Sequence, residues 1–188
     1  MSKKKIVVLR GSPRKNGNSN TLADELTKGA QSKGADVHNF FLQDMLIEGC
    51  SGCDACQVNA DEHCIIDDDM QKIYPIIKEA DAVVYASAIY FFTYTAQIKA
   101  AIDRLYVFEN PKGSSLMHKP VGILLTYGDS DQISSGVGNA IHSFEDMFRY
   151  LKSPILGIVH GTANHVGDIQ KNTELMKEAY DLGVTLAK

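Results

Sequence analysis

The sequence predicts an α/β fold, a doubly wound three-layer sandwich in which a five-stranded parallel sheet of order 2-1-3-4-5 carries helices on both faces. Three observations point there. Five short apolar runs recur along the 188 residues, and continuous rather than alternating runs suit strands buried on both faces of a parallel sheet. A helical pattern follows each run, giving the order βαβαβαβαβα. The length is that of one domain and no linker interrupts it, so residues 1–188 are read as a single unit.

The elements follow in order. Ile6, Val7, Val8 and Leu9 form the first strand, which Gly11, Pro13 and Gly17 break. Ser19, Asn20 and Thr21 are helix starters; Leu22, Ala23, Leu26 and Ala30 follow at helical spacing, with Asp24 and Glu25 read into the first turn. Gly34 stops this helix, and Val37, Asn39, Phe40, Phe41 and Leu42 form the second strand, entered by Ala35 and Asp36. Residues 43–68 lack periodicity and hold every cysteine; a loop that long in a compact domain is usually functional. One of Asp67, Asp68 and Asp69 is expected to cap the helix of Met70, Ile73, Ile76 and Ile77, and Pro75 to kink or shorten it. The third strand covers 82–86 and ends at Ser87; Thr95 opens the helix of Ile98, Ala101, Ile102 and Leu105. Residues 120–126 form the fourth strand. A Gly, Ser and Asp-rich loop over 127–138 then leads to the helix of Ile141, Phe144, Met147, Phe148 and Leu151. Residues 154–159 form the fifth strand, and 168–187 the last helix.

Composition excludes some partners. Net charge is −4 and the only basic cluster is residues 3–5, so the electrostatic footprint of a nucleic-acid binder is missing. No apolar run has membrane-spanning length and no signal-peptide core follows the N-terminal lysines, which gives a cytoplasmic expectation with neither nucleic acid nor membrane as partner.

In such a sheet the ligand crevice lies outside the carboxyl ends of the strands, between the first and third. The first loop delivers the chain to a helix N-terminus, where free N–H groups and the dipole favour an anion. Ser12, Ser19, Asn20 and Thr21 add short donors, and Arg14 and Lys15 add charge. The plainer alternative is an ordinary loop with capping residues. Neither G-x-G-x-x-G nor G-x-x-x-x-G-K-[ST] is present, so dinucleotide and P-loop arguments do not apply. The loop after the third strand gathers Tyr90, Phe91, Phe92 and Tyr94, which suit a planar heteroaromatic ligand or equally a core or subunit interface. His160 and His165 follow the fifth strand, where a satisfied loop histidine is the plainer reading; His142, beside Phe144, is read as structural.

Cys50, Cys53, Cys56 and Cys64 are the only cysteines. Their spacing, C-x2-C-x2-C-x7-C, offers the four thiolates of a [4Fe–4S] cluster; a reactive dithiol or disulfide, and zinc, are the alternatives.

The segments GSPRKNGNSNTL and SAIYFFTYTAQIKAAIDR resemble the two signature segments of flavodoxin-like NAD(P)H-dependent FMN reductases, and GCSGCDACQVNADEHCIIDDDM resembles the iron–sulfur flavoprotein branch. The resemblance implies that Ser12, Arg14, Asn18, Ser19, Asn20 and Thr21 hold the FMN phosphate. It implies that Ala88, Ile89, Tyr90, Phe91, Phe92 and Thr93 run along the isoalloxazine ring, and that Tyr127, Gly128 and Asp129 close its other side. Ala88 stands where many relatives carry proline, and the loop after the fourth strand lacks a frequent Gly-Gly pair. The implied protein is an oxidoreductase that passes electrons from NAD(P)H, or from a ferredoxin-like donor, to a small acceptor such as a quinone or free flavin. It is expected to form a homodimer or homotetramer and to need no catalytic side chain, because the flavin carries the chemistry. A pure electron carrier, or a flavin-free thiol or metal sensor, are the competing expectations.

Overall fold

In the computed structural model, which describes residues 3–58, 63–110 and 113–188, five strands pair in parallel. They are β1 (Lys5–Arg10), β2 (Asp36–Phe41), β3 (Ala82–Tyr90), β4 (Val121–Tyr127) and β5 (Ile155–Thr162). Their order is 2-1-3-4-5, as the sequence predicts. The register sets Val8 between Asn39 of β2 and Val84 of β3, and Ala86 of β3 beside Leu124 of β4.

Each strand feeds both faces, which is why its apolar runs do not alternate. Ile6, Val8, Val84 and Leu124 pack against α1 (Asn18–Ser32) and α5 (Thr173–Leu186) through Leu22, Leu26, Leu182 and Leu186. On the opposite face Val7, Leu9, Tyr85 and Ile123 meet α2 (Met70–Glu79), α3 (Ala96–Arg104) and α4 (Val137–Tyr150) through Ile73, Ile98, Phe144 and Phe148. No helix among the described residues is long and apolar enough to cross a membrane.

Several boundaries differ from expectation. Helix α1 begins at Asn18 with Gly17 at its cap position, so Asp24 and Glu25 fall beyond the first turn. Helix α2 runs through Pro75 without a break. Strand β3 continues past Ser87 to Tyr90 and turns back through Phe91 and Phe92 into a two-residue strand, Thr93–Tyr94. Phe91 and Phe92 have φ of 46° and 65°, the two left-handed centres of a type I′ hairpin turn, a conformation that favours Gly and Asn. Part of the predicted aromatic loop is therefore a hairpin. The last helical stretch is split into a 3₁₀ turn, Asp168–Lys171, and α5, whose cap is Asn172.

The packing of α1 on α5 relies on two glycines. A Cβ on Gly29 would come within 2.0 Å of the Tyr180 carbonyl oxygen, and one on Gly183 within 2.0 Å of the Leu26 carbonyl oxygen. Backbone cannot yield as a side chain can. Gly183→Ala is expected to lower stability by about 2 kcal/mol, the overpacking cost exceeding the gain in helix propensity. Gly138→Ala, at a helical position where nothing lies within 4 Å, should raise it by up to about 1 kcal/mol. Urea denaturation of the two variants checks the opposite signs.

Candidate functional site

The loops that follow β1, β3, β4 and β5 meet in one cavity of about 260 Å³. From the first come Ser12, Arg14, Gly17 and Asn18; from the end of β3, Ala88, Ile89 and Tyr90; from β4, Thr126, Tyr127 and Gly128. All of these but Gly17 and Thr126 are residues the sequence nominates. The fourth contribution, Ala163, Asn164 and Val166, was not anticipated. The rule that ligands sit at the carboxyl ends of strands would have found it once β5 was extended to Thr162.

The loop after β1 is folded around one carbonyl. Arg14 O accepts from Gly17 N at 2.8 Å, Asn20 Nδ2 at 3.0 Å and Ser12 Oγ at 3.2 Å. Gly17 must be glycine here, because a Cβ would stand 2.3 Å from Ser12 Oγ. Thr21 N–H bonds to Gly17 O at 3.0 Å, so the N–H groups of Asn18, Ser19 and Asn20 precede the first helical hydrogen bond and lack a helical acceptor. Ser19 is fully buried, and its hydroxyl has no partner among the described residues. A buried orphan hydroxyl at a helix N-terminus fits a bound anion of phosphate size. Arg14 is exposed at the rim.

Two residues of this loop do other work than expected. The Asn18 side chain donates to Ala163 O at 3.2 Å and His165 O at 2.9 Å, and accepts from Gly167 N at 3.1 Å. It ties the first loop to the one after β5. The Thr21 hydroxyl turns back to Gly17 O at 3.3 Å. Asn20 shapes the loop through the carbonyls of Arg14 and Lys15.

A buried hydroxyl pair couples the first loop to β3. Thr95 Oγ1 donates to Gly11 O at 2.8 Å, and Thr95 N donates to Ser87 Oγ at 3.0 Å. Thr95 thus stands at the cap position of α3 while its hydroxyl serves the neighbouring loop. Ser19, Asn20, Thr21, Phe91, Phe92, Thr93 and Asp129 do not line the cavity, Ser19 and Asn20 lying buried behind its wall. Phe91 is 97% exposed at the hairpin tip, whereas Phe92 rests on Gly136, where a Cβ would lie 2.6 Å from its own. Asp129 uses its carbonyl to accept from Thr162 Oγ1. His160 is engaged by the Tyr127 hydroxyl at 3.3 Å, and burial lowers its pKa.

None of the four cysteines lines this cavity. Their thiols are free; Cys50 and Cys53 are exposed, Cys56 is half-buried and Cys64 buried. Residues 59–62 of the cysteine segment fall outside the described residues. Among the described residues no three His, Cys, Asp or Glu side chains gather closely enough to hold a metal ion. The donor chemistry of four thiols suits an iron–sulfur cluster, but their placement does not assemble one.

What fixes the segment is Arg104, which the sequence reading overlooked. With side chains 1% and 0% exposed, Arg104 Nη1 bonds Asp68 Oδ2 at 2.5 Å and Nη2 bonds Oδ1 at 3.1 Å. Arg104 also donates to Glu48 O at 2.9 Å, and Asp68 accepts from the N–H of Glu48 and Met70. Asp68 thus serves the α2 terminus, while Asp69 accepts from Leu46 N. Only an apolar or polar residue four beyond Ala100 was asked for by the helix pattern, so no sequence signal marked this arginine.

Residues 4–164 match the family described as NADPH-dependent FMN reductase. A protein of Archaeoglobus fulgidus named iron-sulfur flavoprotein is 32% identical, over 98% of this chain and 79% of its own. One of that name from Methanosarcina thermophila is 32% identical over 89% of this chain and 83% of its own. Among solved structures, the NAD(P)H:quinone oxidoreductase from Methanothermobacter marburgensis aligns with 100% of this chain and 98% of its own at a TM-score of 0.77 and 16% identity, a likeness of fold.

Burial pushes the Asp68 carboxyl up, but the Arg104 guanidinium and the two N–H groups outweigh it and hold it below the usual carboxylate range. Its stabilising contribution is therefore complete above the unfolded value of about 3.9 and is lost as pH falls through the lower folded value. Asp68→Asn should cost about 3 kcal/mol at neutral pH, since it leaves Arg104 buried without its counter-charge. The variant's stability should also vary less with pH below about 4. Denaturant titrations at a series of acidic pH values test both.

Proposed function

Because this chain belongs to the NADPH-dependent FMN reductase family, and so is an FMN-binding oxidoreductase or electron-transfer protein of flavodoxin-like fold, we propose that it passes electrons from NAD(P)H to a small acceptor such as a quinone or free flavin. The observation that carries the reading is the orphan Ser19 hydroxyl, buried at the N-terminus of α1 within the loop that opens into the four-loop cavity.

In this reading Ser12, Ser19, the N–H groups of Asn18 to Asn20 and the Arg14 guanidinium hold the FMN phosphate. Ala88, Ile89 and Tyr90 run along one edge of the ring system, and Tyr127 and Gly128 lie along the other. Bound FMN would supply hydride acceptance from a nicotinamide and onward electron transfer. The chain's own part is to bind, orient and exclude water. Asn18 contributes by holding the loop after β5 against the first loop, and Thr95 by holding the first loop against β3. The exposed side chains of Phe91 and Ile133 support a homodimer or homotetramer in which a second copy covers them. The cytoplasm, where thiols stay reduced, suits the four free cysteines.

A second reading concerns those cysteines. Their spacing, and the name iron-sulfur flavoprotein carried by the two archaeal relatives, favour a [4Fe–4S] cluster and with it a ferredoxin-like donor. This reading requires the segment to rearrange on iron uptake, because Cys50 and Cys53 stand exposed while Cys64 is buried.

The purified protein is expected to be yellow and to oxidise NAD(P)H when a quinone or free flavin is supplied. Tight FMN binding with negligible NAD(P)H oxidation would identify a carrier instead, and a colourless chain that takes up no FMN would overturn the reading. Arg14→Ala should weaken FMN about tenfold or more while leaving riboflavin nearly unchanged, since only FMN offers a phosphate for the guanidinium. For the cysteines, anaerobic preparation should give about four iron and four acid-labile sulfide per chain; flavin absorbance with no iron sinks the cluster.

A further inference from the structure

A second cavity, of about 500 Å³, shares no lining residue with the four-loop cavity. Its walls are apolar: Leu105 and Leu116, with Met147 of α4 and Leu151 just beyond that helix. Tyr85 of β3 forms the floor, packed on the rings of Phe144 and Phe148, each 5.5 Å away. Tyr106 and Tyr150, 45% and 71% exposed, bring two further rings to the lining. A cavity of this size with such walls suits a small organic molecule, and accessible rings suit a flat aromatic one.

One polar group in this cavity is both reachable and unused. Tyr85 is 2% exposed, and no hydrogen bond among the described residues uses its hydroxyl; burial alone raises its pKa. The Tyr74 hydroxyl is shut off from solvent without a partner, whereas that of Tyr85 keeps accessible surface in the cavity it lines. The carboxyls of the lining are otherwise engaged. Asp103 is paired with Lys99 at 2.5 Å, and Glu109 accepts from the Tyr150 hydroxyl at 3.3 Å through Oε2 while its Oε1 is shut off. A phenol donates hydrogen bonds more strongly than it accepts them, because the ring draws on the oxygen lone pair. A donor left without a partner costs free energy that an acceptor in the cavity recovers. Water at this spot would serve the hydroxyl but leave the apolar walls wet; an acceptor carried on an apolar body serves both.

We propose that this cavity binds a small neutral aryl carbonyl compound, its ring body against Leu105, Leu116, Met147 and Leu151 and its carbonyl oxygen accepting from the Tyr85 hydroxyl. The hydroxyl selects the class. A hydrocarbon of the same shape leaves it unpaired, and an ammonium has no lone pair to offer and must shed its hydration to enter. The proposal is independent of the flavin reading, since the two cavities have no lining residue in common.

The test is equilibrium dialysis of the purified protein against three probes of one shape: 2-acetylnaphthalene, 2-ethylnaphthalene and 1-(2-naphthyl)ethylammonium. Tyr85→Phe, which removes only the hydroxyl, should weaken the ketone about fivefold, the worth of one neutral hydrogen bond, and leave the hydrocarbon unchanged. The ammonium should bind about tenfold or more weaker than the ketone. Met147→Trp, which fills the cavity, should abolish binding of the ketone and the hydrocarbon, with a cooperative thermal melt as proof of folding. If that variant does not fold, Tyr85→Phe decides alone. No binding of the ketone, a ketone affinity that Tyr85→Phe leaves unchanged, equal losses for ketone and hydrocarbon, or an ammonium as tight as the ketone would each overturn the proposal. So would binding retained in a folded Met147→Trp, which would place the ketone elsewhere.

Discussion

Parallel pairing places one obligation on this chain: every loop that leaves a strand opens at the same edge of the sheet. Four such loops, after β1, β3, β4 and β5, therefore converge without any of them being long. Convergence alone would leave them independent. Their mutual positions are set by a few buried polar side chains, Thr95 and Ser87 between β3 and the first loop, and Asn18 between the first loop and the last. Each bond joins residues far apart in sequence, so the cavity's shape is a property of the whole sheet rather than of any one loop.

The cysteine segment is held by a different principle. Burying Arg104 and Asp68 is costly, and such a pair contributes more to fixing register than to net stability. Here the register is that of a stretch with little regular structure. Asp68 receives the Glu48 N–H and Arg104 reaches the Glu48 carbonyl, so the pair clamps the entry and the exit of the segment onto the end of α3. The thiols between these points are left free to differ in exposure, from Cys53 at the surface to Cys64 in the core. Whatever the segment binds, its two ends are already in place.

Strain is concentrated at the hairpin of Phe91 and Phe92. Two bulky residues at positive φ are unfavourable unless the surroundings over-determine them. The Phe92 carbonyl accepts from Asn139 and its ring lies on Gly136, itself at φ 70°. The hairpin is clamped from α4, while the Phe91 ring projects into solvent next to Tyr90 at the cavity. Residues kept in such a conformation at the mouth of a site are placed there by the fold around them.

While the strand order was taken from doubly wound topology rather than read from any one run, the sequence by itself determined the five strands, the loops after β1 and β3, and the free N–H groups at the start of α1. These rest on local physics: apolar runs of strand length, glycine breaks, and the unpaired N–H groups of a helix N-terminus. It nominated Ser12, Arg14, Ile89, Tyr90 and Gly128, which the fold brings to one cavity. Only the tertiary structure decided what depends on partners distant in sequence. It turned the Asn18 side chain from ligand to brace, drew in Ala163 and Asn164, and made Asp68 the counter-charge of Arg104. It also left Ser19 with a buried hydroxyl to share. A side chain's type is written in the sequence, but which of its hydrogen bonds remain open is settled only when every neighbour has taken its place.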